Sequence, residues 1–227
     1  MERVSSGCEV MDELLEGGFE RDVLTTIYGP AGSGKTCTCI LAAISVIRSG
    51  KKVIFIDTEG GFSVERLKQI APEYEKILES MIFFKPVVFD EQRDAFEKLK
   101  NLVNDKIGLV IVDTISMLYR AELGKGVDVY KINKELGVQL NYLSEIARNK
   151  NIPVIVTNQV YSNFDINGKV NVVGGDMIRY SSKCLIEMQN LKGSRRAAIL
   201  VKHRSIAGEK EILFKIVNKG FEKEEID

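Results

Sequence analysis

Residues 29–36, Gly-Pro-Ala-Gly-Ser-Gly-Lys-Thr, have the composition of an anion cradle. Gly29, Gly32 and Gly34 let backbone N–H groups turn inward with no Cβ in the way, while Pro30, Ala31 and Ser33 complete the turn. The spacing is G-x-x-x-x-G-K-[ST], a P-loop, and it lies where a strand should end and a helix begin. On this reading Lys35 reaches the β- and γ-phosphates of ATP and the Thr36 hydroxyl ligates Mg²⁺. Cys37 lies in the first turn of the helix whose N-terminus faces the phosphates.

Such a loop needs an acid to orient its metal ion. Residues 108–114, GLVIVDT, form an almost continuous apolar strand ending in Asp113. The carboxyl ends of such strands are where ligands bind, and there Asp113 would hold Mg²⁺, through water. A second strand of this type, in VIFIDTEGGF, ends in Asp57, with Glu59 two residues beyond. Asp57 reads as a strand-end acid bonded to backbone. Glu59 either faces the γ-phosphate or is an exposed turn acid. A third strand, over 153–157, runs into the amides Asn158 and Gln159 and then a polar stretch. Gln159 would either bond the γ-phosphate or attacking water without adding negative charge, or satisfy backbone groups at the strand end.

These side chains need a frame to bring them together. Apolar runs over 23–28, 53–57, 81–84, 109–113 and 153–157 read as strands. Helical patterns fall between them, over 35–49, 63–70, 90–103 and 128–149, with Leu136, Leu140, Leu143 and Ala147 on one face of the last. Strict alternation implies right-handed crossovers and a parallel sheet with helices on both faces. After Lys183 the pattern changes to strands at 184–188, 196–201 and 212–217 joined by short turns, an antiparallel extension. The expected fold is therefore α/β, a mostly parallel central sheet flanked by helices with a C-terminal antiparallel extension, in one domain over 1–227.

Composition narrows the function classes. Lys plus Arg equals Asp plus Glu at 32 each, so any polyanion must be met by a local patch. No apolar run is long enough to span a bilayer, and the acidic N-terminus lacks the layout of a signal peptide. A cytoplasmic location is expected, with no membrane partner. The four cysteines, Cys8, Cys37, Cys39 and Cys184, include no second close pair and read as reduced, buried thiols rather than zinc ligands.

Taken together, "SSGCEVMDELLEGGFERDVLTTIYGPAGSGKT", "FIDTEGGFSVERL", "IVDTISMLYRAELGKG" and "PVIVTNQV" resemble the ATPase core of the RecA/RadA recombinase family, above all its short archaeal paralogues of RadA. The resemblance covers essentially the whole chain. It implies a RecA-like fold, Glu59 as the catalytic glutamate, Gln159 as a γ-phosphate-sensing amide and Arg66 packing on the adenine ring. It also implies that the segments after Asp113 and Gln159 face DNA, making Arg120, Lys125, Lys169 and Arg179 candidate phosphate contacts. Lys202 and Arg204, a K-x-R pair on one face of a strand or its extension, resemble a finger that reaches a neighbouring subunit's γ-phosphate. Lys192, Arg195 and Arg196 gather in the preceding hairpin, either as a charge-protected edge or as a further phosphate-contacting surface.

The chain departs from RadA-type recombinases in three respects. No helical N-terminal DNA-binding domain or Phe-x-x-Ala linker precedes the core, so filament formation by the usual route is not expected. The second loop carries only Lys169 between Gln159 and Arg179. Asp176 follows Gly174-Gly175 where RadA-like sequences have histidine. An anionic side chain opposes DNA phosphates. The resemblance therefore implies an ATP-binding, weakly hydrolysing accessory protein of repair and recombination. Its partners would be DNA, single-stranded by preference, a RadA-type recombinase, other recombination proteins and further copies of itself. Two alternatives stay open: a nucleotide-gated binding module with negligible hydrolysis, and a KaiC-like ATPase acting on proteins without DNA.

Overall fold

Strands rich in Val, Ile and Leu with no polar interruption must be covered on both faces, and they form the centre of this fold. The computed structural model describes residues 2–126, 128–161, 171–172, 175–207 and 210–224. Strand β1 (Arg3–Val4), helix α1 (Glu9–Leu14) and β2 (Phe19–Glu20) lead into β3 (Leu24–Gly29), α2 (Lys35–Arg48) and β4 (Lys52–Asp57). Next come α3 (Val64–Ile70), α4 (Tyr74–Glu79), β5 (Met81–Phe84), α5 (Phe89–Leu102), β6 (Ile107–Asp113), α6 (Met117–Leu123) and α7 (Val129–Lys150). The chain continues through β7 (Val154–Tyr161), β8 (Asn171–Val172), α8 (Gly175–Ser181), β9 (Cys184–Asn190), β10 (Arg195–Lys202), β11 (Lys210–Val217) and β12 (Gly220–Lys223).

The main sheet runs β12-β11-β10-β9-β3-β7-β6-β4-β5. From β9 to β5 all pairings are parallel; from β9 out to β12 they are antiparallel. This is the expected RecA-like architecture, a mostly parallel sheet with an antiparallel C-terminal extension. Alternating side chains divide the core in two. Ile27, Phe55, Ile111 and Ile155 meet Val10, Leu14, Ile40 and Ile44 of α1 and α2 on one face. Ile54, Val110 and Val156 meet Leu99 of α5 and Leu136, Leu140 and Leu143 of α7 on the other.

Local chemistry sets the element ends. The Ser63 hydroxyl accepts from the Arg66 N–H and starts α3; the Asp128 carboxylate accepts from the Tyr130 N–H and starts α7. Asn151, in the left-handed region at φ 51°, stops α7. Strand β7 outruns the apolar pattern by four residues, to Tyr161. Its backbone keeps register with β3, Tyr28↔Asn158 and Gly29↔Gln159, and then pairs with β8. Apolar side chains report burial, whereas the ladder needs only backbone groups, so the pattern faded before the strand did.

At the amino edge, β1 and β2 form a separate ribbon. Buried Glu20 ties this ribbon to the end of β10, accepting from Arg204 Nε at 2.6 Å and from the Ser205 hydroxyl at 2.7 Å. A carboxylate this deep is tolerated only when paired. Among the described residues no helix is long and apolar enough to cross a membrane.

Candidate functional site

The carboxyl ends of β3, β4, β6 and β7 meet at one place, and the polar side chains singled out by type gather there. Residues 29–36 curl between β3 and α2. Only glycine fits at position 29, where a Cβ would come 2.1 Å from the Met188 carbonyl of β9. Gly34 opens α2 with φ 108°, a conformation that L side chains rarely adopt. Lys35 is buried, and its Nζ donates to the Gly29 and Pro30 carbonyls, both at 2.9 Å. Burial pushes its pKa down, countered by the charges of Glu59 and Asp113. An ammonium has three donors, so two bonds to the loop leave a third for a phosphate oxygen.

Asp113, at the end of β6, is only 1% exposed. The Thr36 hydroxyl donates to its Oδ2 at 2.7 Å and the Thr157 hydroxyl to its Oδ1 at 2.5 Å. Burial raises the carboxyl pKa above the usual range; these two bonds lower it, and the nearby charges of Asp57 and Glu59 raise it. Asp57, at the end of β4, accepts the Gly60, Gly61 and Phe62 N–H groups at 2.8–3.1 Å, folding the next turn back over the cleft. That turn presents Glu59. Thr114 Oγ1 donates to Glu59 Oε2 at 2.8 Å, and Gln159 Nε2 donates directly to Glu59 Oε1. Both carboxylate oxygens are thus held from different strands. Thr114 does this with φ 59°, a strained conformation for a β-branched residue.

These groups enclose a cleft of about 380 Å³ bounded by the loop, Glu59, Gly61, Gln159 and Ile216. The donor set suits Mg²⁺ shared with phosphates, since a hydroxyl and a carboxylate leave the remaining positions to water and phosphate oxygens. A Cβ on Gly61 would lie 3.4 Å from Thr36 Oγ1 and 3.6 Å from Asp113 Oδ2, so the absent side chain leaves room beside both oxygens. Cys37 lines the same cleft, and Arg66 lies behind it. Arg66 Nη2 donates to the Val217 carbonyl at 2.7 Å and to the Gly220 carbonyl at 3.1 Å. Such bonds lie in the guanidinium plane, and its flat faces are the part that could stack on a base.

The remaining candidates lie apart from the cleft. Arg120 is on α6, and Lys125 lies just beyond that helix, ion-paired with Glu122 at 2.8 Å. Arg179 is exposed on α8, and Lys169 is outside the described residues. Leu118 of α6 and Ile178 of α8 belong to the same apolar layer, which sets the two helices on one face of the sheet. Arg195 lies 3.7 Å from Glu224. Lys202 Nζ donates to the Arg179 and Ser182 carbonyls at 3.0 and 2.8 Å, at the end of α8. Arg204 makes a two-point contact with Asp22, at 2.7 and 3.1 Å, besides its bond to Glu20. Arg204, beside Asp22, lies at the amino edge, roughly 20 Å of strand from residue 29, while Lys202 is level with Thr26 of β3 and turns its ammonium to the end of α8, so neither side chain is placed at residues 29–36.

Arg196 is at the P-loop itself, where its Nε donates to the Gly32 carbonyl at 2.9 Å. Sequence reasoning missed that placement, together with Asn190 on Ala31 and the hydroxyls of Thr114 and Thr157. For the threonines a signal existed: each stands at the carboxyl end of an apolar strand, beside a residue already singled out. For Arg196 and Asn190 none did, because contacts across some 160 residues leave no trace in local pattern.

The Rad51 family model matches residues 1–224. The DNA repair and recombination protein RadB of Methanobrevibacter smithii is 41% identical over 217 residues, covering 92% of this chain and 92% of that one. RadB of Methanocaldococcus jannaschii is 42% identical over 215 residues, covering 94% of this chain and 99% of the other. A crystal structure of the RadB recombinase superposes with a TM-score of 0.82 at 38% identity, covering 98% of this chain and all of that one.

Proposed function

This chain belongs to the Rad51 family, and from that premise we propose that it is an ATP-binding, weakly ATP-hydrolysing accessory protein of DNA repair and homologous recombination. The observation that carries the reading is the direct Gln159–Glu59 contact above the P-loop. It joins the residue suited to activating water to the strand that leads into the stretch 162–174. In this reading Lys35 and the loop N–H groups bind the β- and γ-phosphates, and Arg66 with Ile216 borders the base. Thr36 and Asp113 would hold Mg²⁺, which when bound neutralises phosphate charge as the terminal bond breaks. Glu59 Oε1 and Oε2, fixed by Gln159 and Thr114, orient and deprotonate the attacking water. Gln159 can donate to a γ-phosphate oxygen as well as to Glu59, so the presence of that phosphate is felt by β7 and by the stretch beyond it.

The DNA part of the reading is supported by Arg120 of α6 and Arg179 of α8, helices sharing one face of the sheet, and by Lys125 just beyond α6, with Lys169 as a fourth candidate. A chain with balanced charge can hold a polyanion only through such a patch. Single-stranded DNA and a RadA-type recombinase are the partners proposed, in the cytoplasm. Lys202 and Arg204, placed away from their own P-loop, would act only on a neighbouring copy.

Titration of single-stranded DNA across a salt series tests the DNA claim. Three or four phosphate contacts predict that log affinity falls with log salt at a slope of about −2 to −3, at about −0.7 per contact. Binding absent or insensitive to salt in every nucleotide state would remove DNA from the proposal.

A further inference from the structure

A P-loop can aim its N–H groups inward only if the intervening carbonyls face elsewhere and are satisfied there. Two of these carbonyls are met by side chains of the C-terminal extension. Asn190 Nδ2, at the end of β9, donates to the Ala31 carbonyl at 3.0 Å. Arg196 Nε, near the start of β10, donates to the Gly32 carbonyl at 2.9 Å. The two residues are register partners across the β9–β10 hairpin, so they reach the loop as a pair. Arg196 is steadied by its own Nη1, which donates to the Ser194 carbonyl at 2.8 Å. Beneath them β9 supports the loop from below, with the Met188 carbonyl against Gly29 and the Met188 methyl against Gly34.

Peptide geometry carries these contacts to the phosphate side. Each peptide unit is planar, so holding the Ala31 carbonyl directs the Gly32 N–H, and holding the Gly32 carbonyl directs the Ser33 N–H. A guanidinium on a carbonyl also polarises that peptide and strengthens its N–H as a donor. Arg196 adds positive charge beside the phosphate site without needing to touch a phosphate. As a DNA contact the same side chain is poorly arranged, because Nε and Nη1 are already committed to carbonyls of its own chain.

We propose that Asn190 and Arg196 form a strap that holds the P-loop crown in its phosphate-binding shape, making Arg196 a positioning residue of the nucleotide site and not a DNA contact. The proposal rests on reading residues 29–36 as the ATP site. It places control of nucleotide affinity in a hairpin near the far end of the chain. It also confines the effect to the phosphates, leaving the base contacts alone.

The test is equilibrium binding of Mg·ADP and of a non-hydrolysable Mg·ATP analogue to the wild type, Arg196→Ala, Arg196→Lys and Asn190→Ala. Single-stranded DNA binding without nucleotide is measured in parallel. Loss of one charge-assisted bond predicts about a tenfold weaker affinity for both nucleotides in Arg196→Ala. Asn190→Ala, losing a neutral bond, should weaken them about threefold, and Arg196→Lys should recover part of the loss. DNA affinity and its salt slope should stay at the wild-type values in Arg196→Ala. If that variant melts below the assay temperature, Asn190→Ala and Arg196→Lys carry the test by the same readout. Nucleotide affinity unchanged in all the variants would overturn the strap, as would a reduced salt slope for DNA with nucleotide affinity intact. A wild type that binds neither nucleotide would instead overturn the reading of the P-loop, and the strap with it.

Discussion

Substituting Gln for Glu59 is expected to lower ATP turnover by about 10²–10⁴-fold while leaving nucleotide affinity within about threefold of the wild type. The carboxylate is held at both oxygens, by the Thr114 hydroxyl and by the Gln159 amide. A group fixed in this way loses little entropy on taking up its working geometry, so its contribution is to the chemical step. Gln is isosteric, keeps one acceptor for Thr114 or Gln159, and cannot take a proton from water. Binding, which the proposal assigns to Lys35 and the loop backbone, should survive. Single-turnover hydrolysis alongside equilibrium ATP binding separates the two effects. Unchanged turnover would strip Glu59 of its role, and a parallel loss of binding would show that it shapes the cleft instead.

Asp113→Asn should separate stability from function. The buried carboxyl has its pKa raised by desolvation, more than the Thr157 and Thr36 bonds can offset. A carboxyl with a raised folded-state pKa binds its proton more tightly when folded. Its destabilising effect is therefore absent at low pH, grows above the ordinary carboxylate pKa and is complete above the folded-state value. Removing the charge should raise the thermal midpoint at pH 8, with the gain shrinking as pH falls toward that ordinary range. The same change should weaken Mg²⁺-dependent nucleotide binding by roughly 10–100-fold, the usual effect of losing a partner that orients a metal through water. Melting curves at several pH values and nucleotide binding with and without Mg²⁺ check both signs. A variant that is less stable at pH 8 would contradict the destabilising role given to the buried charge, and one with undiminished Mg²⁺ dependence would contradict the metal-orienting role.

The parts of the site that were legible in the sequence are those carried by local order. The G-x-x-x-x-G-K-T spacing, an apolar strand ending in Asp113, and acids or amides just past two other strands can all be read without the fold. Once strands alternate with helices, the parallel sheet brings those ends to one edge, and Thr36, Glu59, Asp113 and Gln159 come with them. What stayed hidden depends on pairing between distant segments. Arg196 was legible as a hairpin cation, but whether it faced solvent, DNA or the P-loop was decided by β9 lying beside β3. Arg204 was legible as a strand cation, whereas its two-point contact with Asp22 depends on how the chain enters β3. Short elements such as α1, α4 and β12 carry too few periods of apolar residues to be read, and they are held by packing against the rest.

If the nucleotide site sets DNA affinity through Gln159, then removing that amide must uncouple the two ligands. The decisive quantity is the ratio of single-stranded DNA affinities measured with and without a non-hydrolysable Mg·ATP analogue, in the wild type and in Gln159→Ala. A ratio clearly different from one, in either direction, is expected in the wild type. It should collapse to one in Gln159→Ala although the variant still binds the nucleotide. The same ratio in both proteins, or a wild-type ratio of one, would contradict coupling through Gln159.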